Sequence, residues 1–419
     1  MTAMTTAAQA SIRAGTAACP RDRVGVTRLV LTDFRNYGDA RLDLDPGPVV
    51  LTGANGAGKT NLLEAVSFLA PGRGLRGARL GEIDRRTASG QSPGSGWAVA
   101  ATIATRRGPV RIGTGRACPA RDGAVTASKQ AASSAAERRV VRIDGDTARG
   151  QIALGERLGL VWLTPAMDRI FLEGPAGRRR LLDRLVLGLD PAHAGRVAAY
   201  EHALRERSRL LRDGLSFGRP ADPVWLAALE EVMAEKGVAV AAARRELVQR
   251  LDRVCAEAEG PFPRARLSLL GTVAGWLETM PALAAEERTK QALSDNRRED
   301  AASGSTALGP HRSDLAVVFA AKGISAETAS TGEQKALLIA ILLAHARLQH
   351  QVRGEAPVLL LDEVAAHLDP SRRGALFETL RGLDSQAWLT GTDAAVFSPL
   401  RPVARFLSVT DGNLADTAF

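Results

Sequence analysis

Cysteine is scarce in this 419-residue chain: Cys19, Cys118 and Cys255 stand far apart, with no C-x-x-C pair and no Cys/His cluster. That argues against a disulfide framework or a structural zinc module and fits a reducing compartment. The six histidines are scattered too, so no metal site built from protein ligands alone is expected. No uninterrupted apolar run approaches the roughly 20 residues that cross a bilayer, which argues against an integral membrane protein. Residues 1–23 are rich in Ala and Thr, hold no acid before Asp22 and lack the apolar core of a secretory signal. They read as a disordered extension or an overlong start, with an organelle transit peptide as the alternative, and the expected location is cytoplasmic.

Lysine is rare as well. Only six of the 55 basic residues are lysines, against 46 acids and a formal charge of +9. Such a balance suits a polyanionic partner, arginine forks being good phosphate binders, but a basic solvated surface or a GC-rich genome would give the same numbers. Hydrophobic content of 45% and charged content of 24% are those of a globular chain, long enough for two domains.

The stretch that organises the rest is Gly53-Ala54-Asn55-Gly56-Ala57-Gly58-Lys59-Thr60, preceded by Val49-Val50-Leu51 and followed by a helix-forming segment from Asn61 to Leu69. The spacing G-x-x-x-x-G-K-[ST] between strand and helix predicts a phosphate-binding loop. Its glycines let backbone N–H groups turn toward phosphate oxygens, Lys59 reaches the β- and γ-phosphates, and Thr60 offers a hydroxyl to Mg²⁺. Leu62, Leu63, Val66 and Leu69 fall at helical spacing and should face a sheet.

Upstream, Val24–Thr32 and Ala40–Asp45 read as strands around the turn Phe34-Arg35-Asn36-Tyr37, which would lie near the nucleotide's edge. Downstream, strand candidates at 97–102, 109–114 and 140–144 suggest an antiparallel meander, with a mobile loop at about 115–137. A strand, turn and helix follow over 159–187, with Arg178–Arg180 in the helix's first turn; they could meet DNA or the γ-phosphate region, or be exposed helix surface. Residues 191–260 are helical, and 222–260 could form one helix of roughly 57 Å. Leu204 and Leu211 facing Leu226, Leu229, Val232, Met233 and Val240 suit a helical hairpin.

Pro357 to Glu363 supplies the second half of a nucleotide site: an apolar strand ending in Asp362, a Mg²⁺-shell residue, and Glu363, placed to polarise an attacking water. Ser330-Thr-Gly-Glu-Gln-Lys335 opens a helix that is apolar on all sides over Ala336–Ala344. A serine and a glycine at a helix N-terminus make a second anion site.

These residues resemble the signature motif of ABC-type ATPases, and Ala366-His367-Leu368-Asp369 is similar to that superfamily's D-loop. The resemblance implies a head-to-tail dimer in which Ser330 and Gly332 meet the γ-phosphate held by the other subunit. More narrowly, the chain resembles the RecF family of bacterial DNA-repair ATPases over Asp33–Tyr37, Gly53–Glu64, Gly174–Asp183, Gly309–Leu315, the signature and the acidic strand. That resemblance implies an α/β P-loop NTPase of ABC-ATPase head type, built from 24–175 and 305–419, with a mostly helical lobe, 176–304, inserted. The implied nucleotide-binding set is Gly53 to Asn61 with Arg35, Ser330, Gly332, Gln334 and Asp369, and Thr60 and Asp362 hold Mg²⁺. The implied activity is slow, DNA-linked ATP hydrolysis with Lys59 and Glu363 in catalysis. The implied partners are single-stranded and gapped DNA, a second copy of the chain, RecO and RecR, in support of RecA loading and the SOS response.

One departure bears on catalysis. Transporter-type ABC proteins carry a switch histidine where this chain has Trp388-Leu-Thr-Gly-Thr-Asp393, so Thr390 or Thr392 must serve; Thr392 is the candidate chosen. His311, beside Arg312 and Asp314, has a better claim to a site than His367. The rival readings are an SMC-like chromosome ATPase, whose long heptad arms this chain lacks, and a nucleotide-gated DNA clamp without significant turnover. Residues contacting DNA are not assigned.

Overall fold

The computed structural model describes residues 23–85, 96–116, 138–216, 221–383 and 385–417. The expectations for residues 1–22 and for most of the 115–137 loop fall outside them. The chain divides into two compact units, one of residues 1–165 with 355–419 and one of residues 166–354. The second unit therefore includes 305–354, which the sequence reading places with the head. Packing explains the difference: within that unit the helix Thr331–Arg353 lies against the long helix Pro223–Ala256.

In chain order the first strands are β1 Gly25–Phe34, β2 Tyr37–Asp43, β3 Val49–Thr52, β4 Ala98–Thr105, β5 Gly108–Arg116, β6 Arg139–Ile143, β7 Asp146–Thr147 and β8 Leu160–Leu163. They are followed by β9 Ala265–Leu270, β10 Asp314–Phe319, β11 Ile324–Ser325, β12 Val358–Leu361, β13 Ala387–Gly391, β14 Arg405–Thr410 and β15 Asn413–Asp416.

The first unit holds two sheets. One is the expected antiparallel meander, in the order β2-β1-β4-β5-β6-β7. Its strands alternate: in β1, Leu29 and Leu31 are buried while Arg28, Val30 and Thr32 face outward. The other runs β15-β14-β3-β13-β12-β8, parallel throughout except for the β14–β15 hairpin. Its core strands β3 and β12 are buried at every position, as the unbroken apolar runs Val49–Leu51 and Val358–Leu361 require of a parallel sheet. Leu62, Leu63, Val66 and Leu69 are fully buried after the phosphate loop, as their spacing predicts. Phe34, Phe68 and Trp97 pack edge-on or tilted at centroid distances of 4.9–6.0 Å, tying the meander to the end of that helix.

The second unit is mostly helical. Its hairpin pairs His193–Ser216 with Pro223–Ala256, a 34-residue helix of about 51 Å at 1.5 Å per residue. Asp222 caps its start through the amides of Val224 and Trp225, and Pro223 sits at the first helical position where no N–H is needed. Tyr200, Ala203, Met233, Val238 and Ala241 form the hairpin core, with Leu204 and Leu229 packed against it. Val232, expected there, is 36% exposed instead. A small sheet, β11-β10-β9, completes the unit.

Candidate nucleotide site

The phosphate loop follows β3 directly and ends in the helix Lys59–Ser67. Gly53, Gly56 and Gly58 have φ of 149°, 84° and 117°, the left-handed side that favours glycine. A Cβ on Gly53 would lie 2.3 Å from the Val409 carbonyl oxygen, and one on Gly58 would lie 2.4 Å from Asn36 Nδ2. Lys59 is buried, and its ammonium donates to the carbonyls of Gly53 and Ala54 at 2.7 and 2.8 Å, arching back over the loop.

The turn Arg35–Tyr37 packs on the loop itself. Asn36 Nδ2 donates to Ala57 O at 3.2 Å, Asn61 Nδ2 to Asn36 Oδ1 at 2.7 Å, and the Tyr37 hydroxyl to Gly58 O at 3.0 Å. Arg35 makes a two-pronged bond with Glu64, at 2.9 and 2.8 Å, and donates to the Glu82 carbonyl at 2.7 Å. Glu64 is fully buried and is also held by Arg76 at 3.2 Å. Arg35, expected among the nucleotide contacts, thus braces the loop helix through Glu64.

Asp362 and Glu363 leave the carboxyl end of β12, one strand over from β13 and two from β3. The Thr60 hydroxyl donates to both Asp362 oxygens at 3.1 Å. The Thr390 hydroxyl, fully buried on β13, donates to Asp362 Oδ1 at 2.7 Å and accepts the Glu363 amide at 2.9 Å. Glu363 itself has a left-handed backbone, φ 51°, a conformation that non-glycine residues adopt only where their surroundings hold them. Thr392 lies beyond the end of β13 and is exposed. Of the two threonines, the geometry therefore favours Thr390 over Thr392, because register sets Leu389 beside Leu361 and so brings Thr390 beside Asp362.

Three adjacent parallel strands thus end in a glycine loop, a threonine and an acid pair, the crevice position at which open α/β sheets bind ligands. The donor set fits its expected group: a hydroxyl and a carboxylate oxygen in contact suit a hard, oxygen-seeking Mg²⁺ ion.

The second unit carries the signature-like segment. Ser330 caps the helix Thr331–Arg353 by accepting the Glu333 amide at 3.4 Å while Glu333 accepts the Ser330 amide at 3.0 Å, a capping box. Hydrogen bonds from Lys322 and from Ser330 hold the Glu333 carboxyl down at about 2. Ser330 and Gly332 lie at that helix start, with Gly332 exposed, while Gln334 is buried. Gln334 donates to the carbonyls of Glu327 and Ala329 at 3.2 and 3.0 Å, which makes it a brace for the preceding loop. Asp369, in the first unit, caps the helix Pro370–Gly382 through the Arg372 amide.

Residues 28–105 match the AAA domain family. Over 396 residues the chain is 48% identical to the DNA replication and repair protein RecF of Mesorhizobium japonicum, covering 94% of this chain and 98% of that protein. The corresponding protein of Rhizobium leguminosarum is 47% identical over 394 residues, covering 94% of this chain and 99% of its own length. The chain belongs to the RecF family.

A solved structure of the recombination mediator protein RecF-ATP in the RecFOR pathway superposes with a TM-score of 0.77 at 22% identity, covering 94% of this chain and 98% of that one. The Smc head domain of Pyrococcus furiosus gives 0.51 at 17% identity, covering 94% and 96%. Both carry the same ABC-ATPase head fold.

Two of the segments that carry the RecF resemblance, 174–183 and 309–315, are knit together within the second unit. Arg178 grips Asp314 with two bonds of 2.8 Å and donates to the carbonyls of Ile170, Phe171 and Glu173; Arg179 donates to Ser313 O at 2.9 Å. Arg244, on the long helix, holds Asp183 with two bonds of 2.7 Å and reaches Pro310 O and Ser313 Oγ. Burial alone would raise the Asp183 carboxyl, but bonds from His193 and Arg244 outweigh it and hold it below the usual range. His311 donates from Nε2 to the Thr306 carbonyl, so Nδ1 accepts from the Tyr200 hydroxyl at 2.6 Å. Burial lowers its pKa and keeps the ring neutral. Arg178, Arg179 and His311 are therefore bracing residues of the RecF fold; Arg180 is the exposed member of the arginine triplet.

Sequence reasoning missed Glu64, Arg139 and Arg244. Glu64 carried a signal, a carboxylate inside an otherwise apolar helix stretch; the other two become significant only once distant segments are brought together.

Proposed function

We propose that this protein is a Mg²⁺-dependent ATP hydrolase whose ATP-bound form is a head-to-tail dimer that binds DNA in recombinational repair and replication. The observation that carries the reading is the contact of Thr60, Asp362 and Thr390 at the ends of β3, β12 and β13, with the Glu363 amide locked onto Thr390. The Gly53–Thr60 amides and Lys59 bind the phosphates, and Thr60 with Asp362 holds the cation. Bound there, Mg²⁺ supplies charge neutralisation for the phosphoryl oxygens. Glu363 accepts a proton from the attacking water, and Thr390 fixes the turn that aims it. Ser330 and Gly332 of one copy meet the γ-phosphate bound to the other, which makes dimerisation ATP-dependent.

DNA contact is mainly to phosphates, so affinity falls steeply with salt. Single-strand gaps and junctions are the preferred structures, RecO and RecR are the partners in RecA loading and the SOS response, and the site of action is the cytoplasmic nucleoid; family membership supports these points. The alternative, an ATP clamp without turnover, leaves the braced Glu363 with no task.

Glu363→Gln tests the assignment. Turnover should fall by about 10²–10⁴-fold, the usual contribution of a general base, while ATP still binds and dimer accumulates. Wild-type turnover in that variant, or no gain in dimer, would remove Glu363 from the role.

A further inference from the structure

Past the end of the phosphate-loop helix, and wholly within the first unit, a cleft of about 1370 Å³ opens between residues 72–80 and 138–151. Arg73, Arg79 and Arg138 stand on its walls, Arg139 forms part of its lining, and among the described residues no acidic side chain lines it.

Arg139 is 7% exposed. Its Nε donates to Thr114 Oγ1 at 2.7 Å, and one terminal nitrogen donates to Gly72 O and Gln151 Oε1 at 2.8 and 3.1 Å. The other grips the carbonyls of Phe68 and Ala70, and the guanidinium stacks 5.0 Å from the Phe68 ring centroid. These acceptors are all neutral. Burial lowers the group to about 9, so it stays charged at neutral pH. A buried cation held by these neutral acceptors, with three more arginines alongside, is an arrangement that an anion stabilises.

The size of the cleft selects a long polyanion over a small one. The cleft exceeds the volume of a single phosphate many times over. A second basic trough, of about 440 Å³, lies on the opposite face of the same six-stranded sheet from the Arg139 and Thr114 side chains, with Arg111 and Arg142 beside a floor of Ala100 and Gly113. That floor is flat because the register stacks Arg142, Gly113 and Ala100 on successive strands. Arg28 and Arg41 complete the trough and share Asp43.

Phe68 is the C-terminal cap of the helix Lys59–Ser67, whose other end is the phosphate loop. Arg139 therefore joins the cleft to the nucleotide site through one nine-residue helix of about 14 Å.

We propose that this cleft takes the phosphodiester backbone of DNA, and that Arg139 transmits its occupancy through the phosphate-loop helix so that nucleotide turnover responds to DNA. The proposal rests on the DNA-binding reading above and adds to it a site and a coupling residue. Arg139 acts as a positioning residue.

The test measures anisotropy of a labelled gapped duplex with Mg-ATP across a salt series, binding of a fluorescent ATP analogue, and turnover with and without DNA. R73E/R79E/R138E should lose at least about tenfold in DNA affinity, and the slope of log affinity against log salt should flatten by about 2–3, with ATP affinity within about twofold of wild type. Arg139→Gln and the milder Arg139→Lys should lower DNA affinity by less than the triple variant does, and at saturating DNA the ratio of turnover with and without DNA should fall toward one. A triple variant with wild-type DNA affinity overturns the cleft alone; a wild type that binds no duplex under any nucleotide condition overturns the DNA reading itself. A melting shift with inorganic pyrophosphate that the triple variant loses, with DNA affinity intact, would make this a small-anion site and overturn the proposal. An unchanged turnover ratio in folded Arg139→Lys overturns the coupling.

Discussion

Arg139 and Arg207 are both buried guanidiniums with many hydrogen bonds, one in each unit, and their partners differ in kind. Arg207 is fully buried and meets Glu230 at 2.9 Å, Asp300 at 2.7 Å, Thr306 at 2.9 Å and the Leu293 carbonyl at 2.7 Å, and Glu230 is shared with Arg297. Arg139 bonds to neutral groups and lines an open cleft. The Arg207 network sets charges against one another, which fixes a fold; in the first unit Arg35 and Arg76 are likewise paired with Glu64, while Arg139 meets neutral acceptors at the edge of a cleft. The comparison implies that substitutions in the Arg207 network act on stability, whereas those at the nucleotide site act on chemistry.

The largest expected effect tests the stability side. Arg207→Met leaves Asp300 buried without its guanidinium partner, and breaking such a pair costs about 3–5 kcal/mol. Thermal melting should show it, with the unfolding midpoint dropping while any surviving folded protein keeps its ATP affinity. A melting curve like that of wild type would mean that the network is not the structural centre of its unit.

Thr390→Val tests the other side. It preserves shape but removes the hydroxyl between Asp362 and the Glu363 amide, and leaving such groups without a partner costs about 1–3 kcal/mol. If the aim of Glu363 carries that cost, steady-state turnover falls by about 10–100-fold and ATP affinity by much less. Thr392→Val should do little, and the reverse ranking would restore Thr392 to the role.

A pH effect belongs to the second unit. His345 is fully buried, its Nε2 donating to the Leu185 carbonyl at 2.8 Å, and burial lowers its pKa to about 4. An unfolded histidine, at about 6.5, takes up its proton first, so stability falls as pH drops from about 6.5 to about 4, by about 1.4 kcal/mol per unit for this group. Denaturation series at several pH values should give a shallower slope for His345→Gln, which keeps an N–H donor but cannot titrate. Equal slopes would exclude His345 as the cause.

The smallest effect separates structure from function at one residue. Ser330→Ala removes a helix cap and should cost about 1 kcal/mol, whereas Ser330→Asp keeps capping ability and should melt within about 0.5 kcal/mol of wild type. Yet Ser330→Asp, placing a carboxylate against the partner's nucleotide, should abolish ATP-dependent dimerisation. A dimer that forms normally would leave Ser330 as a cap and nothing more.

What the sequence made legible was local. The glycine loop, the acidic strand and the capped signature helix each announce themselves within a short stretch, because turn chemistry and apolar period are short-range. The choice between Thr390 and Thr392 was not legible, since it depends on how β13 registers against β12. Arg35 read as a nucleotide contact because nothing local shows that Glu64 lies beneath it. Which compact unit residues 305–354 join depends on the neighbour that the helix Thr331–Arg353 packs against. For Arg178 and Arg179 the choice between DNA, the γ-phosphate region and exposed helix surface stayed open, because Asp314 and Ser313, 136 and 134 positions away, come to them only in the folded chain.

The central claim is an ATP-driven dimer that engages DNA. Sedimentation of the purified protein with Mg-ATP, Mg-ADP or no nucleotide, each with and without a duplex bearing a single-strand gap, tests it most directly. The account predicts a dimer with Mg-ATP alone, reinforced by the gapped duplex, and a monomer in the other nucleotide states. A monomer under every condition, or a dimer indifferent to nucleotide, would contradict it.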